Sequence, residues 1–106
     1  MLTSIFTKII NREIPSKILY EDELVIAIYD INPIQPGHFL VIPKNQANDL
    51  LENSEEDYLY TLKIARNLAK QEMVKNNYSG FKLLANTGKS AGQEIFHTHF
   101  HIIPYK

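Results

Sequence analysis

Apolar residues recur along this chain with two different periods, and each period predicts a different element. Ile5, Phe6, Ile9 and Ile10 fall at i, i+1, i+4 and i+5, a helical stripe of about two turns that Ser4 can cap. Asn11–Pro15 reads as a break, because proline restricts the residue before it. Lys17–Glu21 and Leu24–Asp30 read as a hairpin turning near Glu21-Asp22-Glu23. The run from Leu24 to Tyr29 is apolar almost throughout, as in a central strand covered on both faces. A turn-rich loop with Asn32-Pro33 and Gln35-Pro36-Gly37 leads into an apolar strand, His38–Ile42, stopped by Pro43.

The longest helix opens at Ser54. Glu55, Glu56 and Asp57 follow, which places acidic side chains on the positive end of the helix dipole. Tyr58, Leu62, Ala65, Ala69 and Met73 mark its apolar face, Leu59 and Leu68 widen it, and the helix should run to about Lys75–Asn77. Phe81–Thr87 reads as a strand, Gly88–Gln93 as a loop, and Ile95–Ile103 as a final strand ended by Pro104. The predicted order is helix, hairpin, strand, short helix, long helix, hairpin. Strands in runs with helices inserted favour an α+β fold with a five-stranded antiparallel sheet and two main helices.

Composition narrows the chemistry. The 106 residues fit a single domain, 1–106. Without cysteine there are no disulfides, thiolate metal sites or cysteine nucleophiles. Eleven basic and twelve acidic residues leave a net charge of −1, which suggests no nucleic-acid surface. The first residues show no basic segment or long apolar run, and no stretch approaches the roughly 20 residues that cross a bilayer. A cytoplasmic protein with no membrane partner is expected. Gly88-Lys89-Ser90 imitates the end of a phosphate-binding P-loop, but the required first glycine falls at Leu83 and a strand should follow.

Histidine is the unusual residue. Of four, three lie within five positions: His97, His99 and His101. Side chains alternate along a strand, so these three share one face while Phe96, Thr98, Phe100 and Ile102 take the other. Three readings compete. The stripe could simply face solvent. It could hold a metal, although residues i and i+4 of a strand lie about 13 Å apart, whereas an imidazole nitrogen sits only about 2.0–2.1 Å from zinc. Two of them would need a third ligand, and His38 is the only histidine left. Or a central histidine attacks an electrophile while its neighbours donate hydrogen bonds, which suits a ring that is free base or imidazolium near neutrality.

The run His97-Thr98-His99-Phe100-His101-Ile102-Ile103 resembles the His-φ-His-φ-His-φ-φ signature of the histidine-triad superfamily, φ being hydrophobic. The likeness covers essentially the whole chain. Residues 5–15 resemble the N-terminal helix and turn of its nucleotide-binding (HINT-like) branch. Tyr20-Glu21-Asp22, Asp30-Ile31-Asn32-Pro33, Gly37–Lys44, Asn86-Thr87-Gly88 and Gly92-Gln93 match that branch in order.

The resemblance implies a HIT-like fold, two protomers joining into a ten-stranded sheet, and a purine mononucleotide (AMP- or GMP-like) as ligand. It implies hydrolysis of nucleoside 5′-phosphoramidates through a nucleotidyl-histidine intermediate, with no metal or other cofactor. By the same resemblance His99 is the nucleophile, His101 bonds the phosphate, His97 orients His99, and His38 is the fourth active-site histidine. Asp30 accepts from the ribose hydroxyls. Ile5, Phe6, Ile9 and Ile31 line the base pocket, and Asn86, Gly92 and Gln93 meet the phosphate or leaving group. Alternatives are a dinucleoside polyphosphate hydrolase of the fragile-histidine-triad type and a non-catalytic nucleotide-binding protein. Taken singly, Asp30 could be only a turn former, His38 a structural histidine and Asn86 a turn residue.

Two positions depart from the pattern: Thr98 stands where a hydrophobe is expected, and Glu94 where some members carry a small hydroxyl residue. Several relatives also carry a longer C-terminal tail that shapes substrate choice, whereas five residues follow His101 here.

Overall fold

The computed structural model describes residues 2–106. Its elements are α1 (Ile5–Ile10), β1 (Ile18–Glu21), β2 (Val25–Tyr29), β3 (Phe39–Pro43), α2 (Glu55–Asn76), β4 (Gly80–Leu84), a 3-10 turn (Lys89–Ala91) and β5 (Phe100–Tyr105). The strands form one antiparallel sheet in the order β1-β2-β3-β5-β4. The fold is therefore the α+β arrangement that the hydrophobic pattern predicts.

The period of two along β2, β3 and β5 divides the apolar residues between two faces. Val25, Ala27, Phe39, Val41, Phe100 and Ile102 face α2 and pack on Ile64, Ala65, Leu68 and Ala69. Ile26, Ile28, Leu40 and Ile42 face the other way and meet Phe6 and Ile9 of α1. Both helices begin as expected: the Ser4 hydroxyl accepts from the Thr7 N–H and the Ser54 hydroxyl from the Asp57 N–H. Asn77, in the left-handed region at φ 57°, closes α2 with its N–H on the Met73 carbonyl.

The buried stripe of α2 is Thr61, Ile64, Ala65, Leu68, Ala69 and Glu72, so the predicted face is rotated and Leu59 points outward. Small side chains at 61, 65 and 69 let the helix lie close to the sheet. Glu72 is tolerated there because the Tyr29 hydroxyl donates to its carboxylate at 3.1 Å.

The predicted short helix before α2 is absent; residues 44–53 form turns. Asp49 starts only a single turn there, its side chain accepting from the N–H groups of Leu51 and Glu52. A 3-10 turn, rather than a strand, follows Gly88. β4 is shorter than predicted, ending at Leu84.

The last strand is also displaced, starting at Phe100 rather than Ile95 and passing through Pro104. Pairing explains both ends. The ladders reach no further back than Val41↔Phe100 and Leu84↔His101, so residues 95–99 have no strand beside them. The β3 ladder stops at Phe39↔Ile102, leaving Pro104 on a free edge where its missing N–H costs nothing.

Candidate active site

Hairpin register builds the first part of the site. β2 and β3 pair up to Tyr29↔Phe39, and the Asp30 N–H continues the ladder to the His38 carbonyl at 3.0 Å. Asp30 and His38 therefore sit side by side, although the loop between them is long. Gly37 makes the turn into β3 at φ 89°, where a Cβ would strike the Tyr78 hydroxyl. Leu40↔His101 then sets His101 next to His38, and the two rings bond at 3.0 Å between His38 Nε2 and His101 Nδ1.

His97 and His99 lie in the unpaired segment, and other bonds hold them. The His97 ring is fully buried, with Nε2 at 2.7 Å from the Pro43 carbonyl and Nδ1 at 2.6 Å from the Ser4 hydroxyl. Thr98 is anchored through its N–H to the Ala47 carbonyl and its hydroxyl to Asn53, which gives this departure from the hydrophobic pattern a structural partner. Phe6 lies edge-on to both rings, with centroids 5.6 Å from His97 and 5.0 Å from His99. Phe96 takes no place in the core and is largely exposed.

The partners assign the tautomers. A carbonyl can only accept, so the His99 Nδ1–H donates to the His97 carbonyl at 2.7 Å, leaving a lone pair on Nε2. A backbone N–H can only donate, so His38 Nδ1 accepts from Ile34 at 3.1 Å and carries its proton on Nε2. That proton goes to His101 Nδ1, and His101 in turn carries Nε2–H. The site therefore holds an acceptor nitrogen on His99 beside a donor on His101, with ring centroids 4.9 Å apart.

Charge favours the same state. Burial pushes the pKa of each of the four histidines below the ordinary value. For His101, His99 and His38 add to the burial, and the value falls to about 4. Asp30 opposes the shift at His38, and the accepting carbonyls of Pro43 and His97 oppose it at His97 and His99. Near neutral pH all four rings are free bases.

A cavity of about 470 Å³ opens in front of His99 and His101. Every residue singled out from the sequence lines it except His97, which stands behind His99. Ile5, Phe6, Ile9 and Ile31 form apolar wall, and Ile31 is 87% exposed. Asp30 does two things: one oxygen accepts from the Asn32 N–H at 2.8 Å, so it is a turn former, while its carboxylate also borders the cavity. Asn86 and Gly92 also line the cavity, with the Asn86 amide 3.5 Å from the Gly92 carbonyl. Gln93 is buried, and its amide is taken up by the Gly88 N–H and the Asn48 and Ile95 carbonyls. It ties two loops together at the cavity edge.

Residues not anticipated as lining include Ile14, Ile34 and Ile95. Nothing in the local sequence marked Ile34, which lies in a loop, and Ile95 was read as the start of the last strand, whereas it lies in the loop before it. The role of Ser4 against His97 was equally hidden, since 93 positions separate them.

Asp30, His38 and His101 also place one ligand atom each within 4.8 Å of one another. The donor set fits a cation poorly. A metal-bound histidine usually donates its other ring N–H to an acceptor, whereas the other nitrogen of His38 is itself an acceptor for Ile34.

A five-stranded antiparallel sheet with neutral histidines gathered beside an apolar cavity defines a histidine-based site. Comparison with known proteins gives the family. The sequence matches the HIT domain over residues 11–106. It is 52% identical over 101 residues to a 13.1 kDa HIT-like protein of Mesomycoplasma hyorhinis, covering 95% of this chain and 91% of that one. It is 40% identical over 103 residues to the purine nucleoside phosphoramidase of Escherichia coli K12, covering 94% and 85%. A crystal structure of a hypothetical histidine triad nucleotide-binding protein from Sulfolobus tokodaii superposes with a TM-score of 0.92 at 42% identity, covering 94% of this chain and 67% of that one. The chain belongs to the HIT domain family.

Proposed function

We propose that this chain binds purine nucleotides and hydrolyses nucleoside 5′-phosphoramidates at the P–N bond. The observation that carries the reading is the His99 tautomer: Nδ1–H is held by the His97 carbonyl, so the Nε2 lone pair is available at the cavity. In the first step Nε2 attacks the α-phosphorus, the P–N bond breaks, and the leaving nitrogen takes up a proton from solvent to depart as the amine, a proton returned when water hydrolyses the adduct. The product is a nucleotidyl-His99 adduct. Water then attacks the phosphorus, the P–Nε2 bond breaks, and nucleoside monophosphate is released with His99 restored. The His101 Nε2–H is a donor for the phosphoryl oxygens as charge develops on them. Asp30 accepts from the ribose, and the apolar wall around Phe6 and Ile9 takes the base. The identity to the Escherichia coli enzyme supports the purine and phosphoramidate assignments.

No lysine or arginine lines the cavity among the described residues. A substrate with one phosphate suits such a wall better than a dinucleoside polyphosphate, whose further charges would find no cation. Residues 1–106 act as one unit in this reading. Two copies join through the free edge of β4, where Phe81 and Leu83 are exposed, to give a ten-stranded sheet.

Mass spectrometry of the chain quenched early in turnover of adenosine 5′-phosphoramidate tests the reading. It should show an adenylyl group on His99. Turnover with no adduct in wild type, or with the adduct on another residue, would refute the assigned chemistry.

A further inference from the structure

The segment that carries the nucleophile belongs to no ladder. β5 begins at Phe100, so the positions of His97 and His99 depend on side-chain bonds and on the single backbone bond from Thr98 to Ala47 rather than on the sheet. The strongest anchor is the His97 ring. Its Nε2–H is on the Pro43 carbonyl and its Nδ1 is at 2.6 Å from Ser4 Oγ. Because Nε2 carries the proton, Nδ1 accepts and the Ser4 hydroxyl donates.

Ser4 lies outside the 11–106 stretch that matches the family. Its Oγ accepts from the Thr7 N–H at 3.0 Å, and of the two acceptors its proton can reach, His97 Nδ1 at 2.6 Å is much nearer than the Thr7 hydroxyl at 3.3 Å. Gln46 Oε1 accepts from the Ser4 N–H at 3.0 Å and from the Thr7 hydroxyl at 2.7 Å, which locks the start of α1 to the β3–α2 connection. The same helix carries Phe6 against His97 and His99.

We propose that Ser4 is a positioning residue for the nucleophile. Its hydroxyl holds His97 as the Nε2–H tautomer in a single ring orientation. The ring so held steadies the His97 end of a peptide unit whose Thr98 N–H is bonded to the Ala47 carbonyl at 3.1 Å, and the His97 carbonyl of that unit holds His99 with its Nε2 lone pair toward the cavity. Without the donor, His97 Nδ1 is a buried acceptor with no partner, and the ring gains by turning or by admitting water. A displacement of the carbonyl passes directly to the His99 ring that it orients, and small displacements of a reacting group are costly in rate.

Two variants separate this role from the helix cap. Glycine at an N-cap loses only a few tenths of a kcal/mol relative to serine, so Ser4→Gly keeps most of the cap and removes the donor. Ser4→Thr keeps both. The first readout is the ¹⁵N resonance of the His97 ring in the ligand-free chain. The second is steady-state turnover of adenosine 5′-phosphoramidate, which rests on the function proposed above. In Ser4→Gly the His97 Nδ1 signal should move downfield, toward a free acceptor nitrogen, or show exchange between tautomers. kcat should fall roughly tenfold or more with KM within about twofold, and Ser4→Thr should restore both readouts. An unchanged His97 Nδ1 signal in Ser4→Gly overturns the proposal, as does a native kcat accompanied only by a lower Tm. If the unaltered chain turns over no phosphoramidate, the functional reading fails, and the nitrogen resonance alone decides the role of Ser4.

Discussion

The two faces of the sheet use the same strands for opposite ends. On one face, the 22-residue α2 is about 33 Å long and covers Val25, Ala27, Phe39, Val41, Phe100 and Ile102. On the other, the six residues of α1 reach only about 9 Å. They pack on Ile26, Ile28, Leu40 and Ile42, and beyond their reach Ile28 and Leu40 border the cavity in front of His99 and His101. A long cover makes a core and a short one makes a site. β5 shows the division within one strand: Phe100 and Ile102 serve the core, while His101 between them serves the cavity.

The largest expected effect lies on the cavity face. His99→Ala should lower kcat by roughly 10⁴-fold or more while the affinity for AMP, measured by calorimetry, stays within a few-fold. Turnover that survives this change would remove His99 from the chemistry.

The α2 face should answer differently. Leu68→Ala should cost about 2–5 kcal/mol in denaturant unfolding, with kcat per folded molecule close to native. A specific loss of kcat there would mean that the faces are not independent. Next, Ala69→Leu should cost about 1–3 kcal/mol, because overpacking pushes α2 off the sheet. A stable variant would show that the close approach at 65 and 69 is not needed.

Ile9→Val, on the cavity side, should cost about 0.5–1.5 kcal/mol and raise KM more than it lowers kcat. The reverse pattern would place Ile9 nearer the reacting atoms than the base.

The effect of pH is gradual, spread over several units. The four histidines titrate lower in the fold than in the unfolded chain, where the value is about 6.5. Below that value the unfolded chain binds more protons, so stability is full above about pH 6.5 and declines as pH falls. For His101 the decline continues to about 4. Equilibrium unfolding between pH 7 and 4 measures it, and His101→Asn should flatten the slope. An unchanged slope would mean that His101 does not contribute to it.

Much of this was legible in the chain. Ile5, Phe6 and Ile9 announced α1 by their spacing, Ser54 and the three acids after it announced α2, and the apolar run at Leu24–Tyr29 announced a central strand. Local pattern carries such features because they depend on residues within a turn or two of one another. Where the strands ended was not legible. Ile95–Phe100 has a strand's composition, yet only its last residue enters a ladder, because the neighbouring strands stop there. The α2 face was misplaced for a similar reason, since Glu72 is buried only through Tyr29 on a distant strand.

The site divides along the same line. Sequence by itself determined which residues are candidates for the chemistry, three alternating histidines in a cysteine-free chain, and the motif order that marks the family. Tertiary structure alone decided what each histidine can do. Which nitrogen of a ring bears the proton depends on its partner: Ile34 and His101 for His38, Pro43 and Ser4 for His97, the His97 carbonyl for His99. Several of these partners lie tens of residues away, and hydrogen-bond direction is a property of atoms in contact, which a linear pattern does not contain.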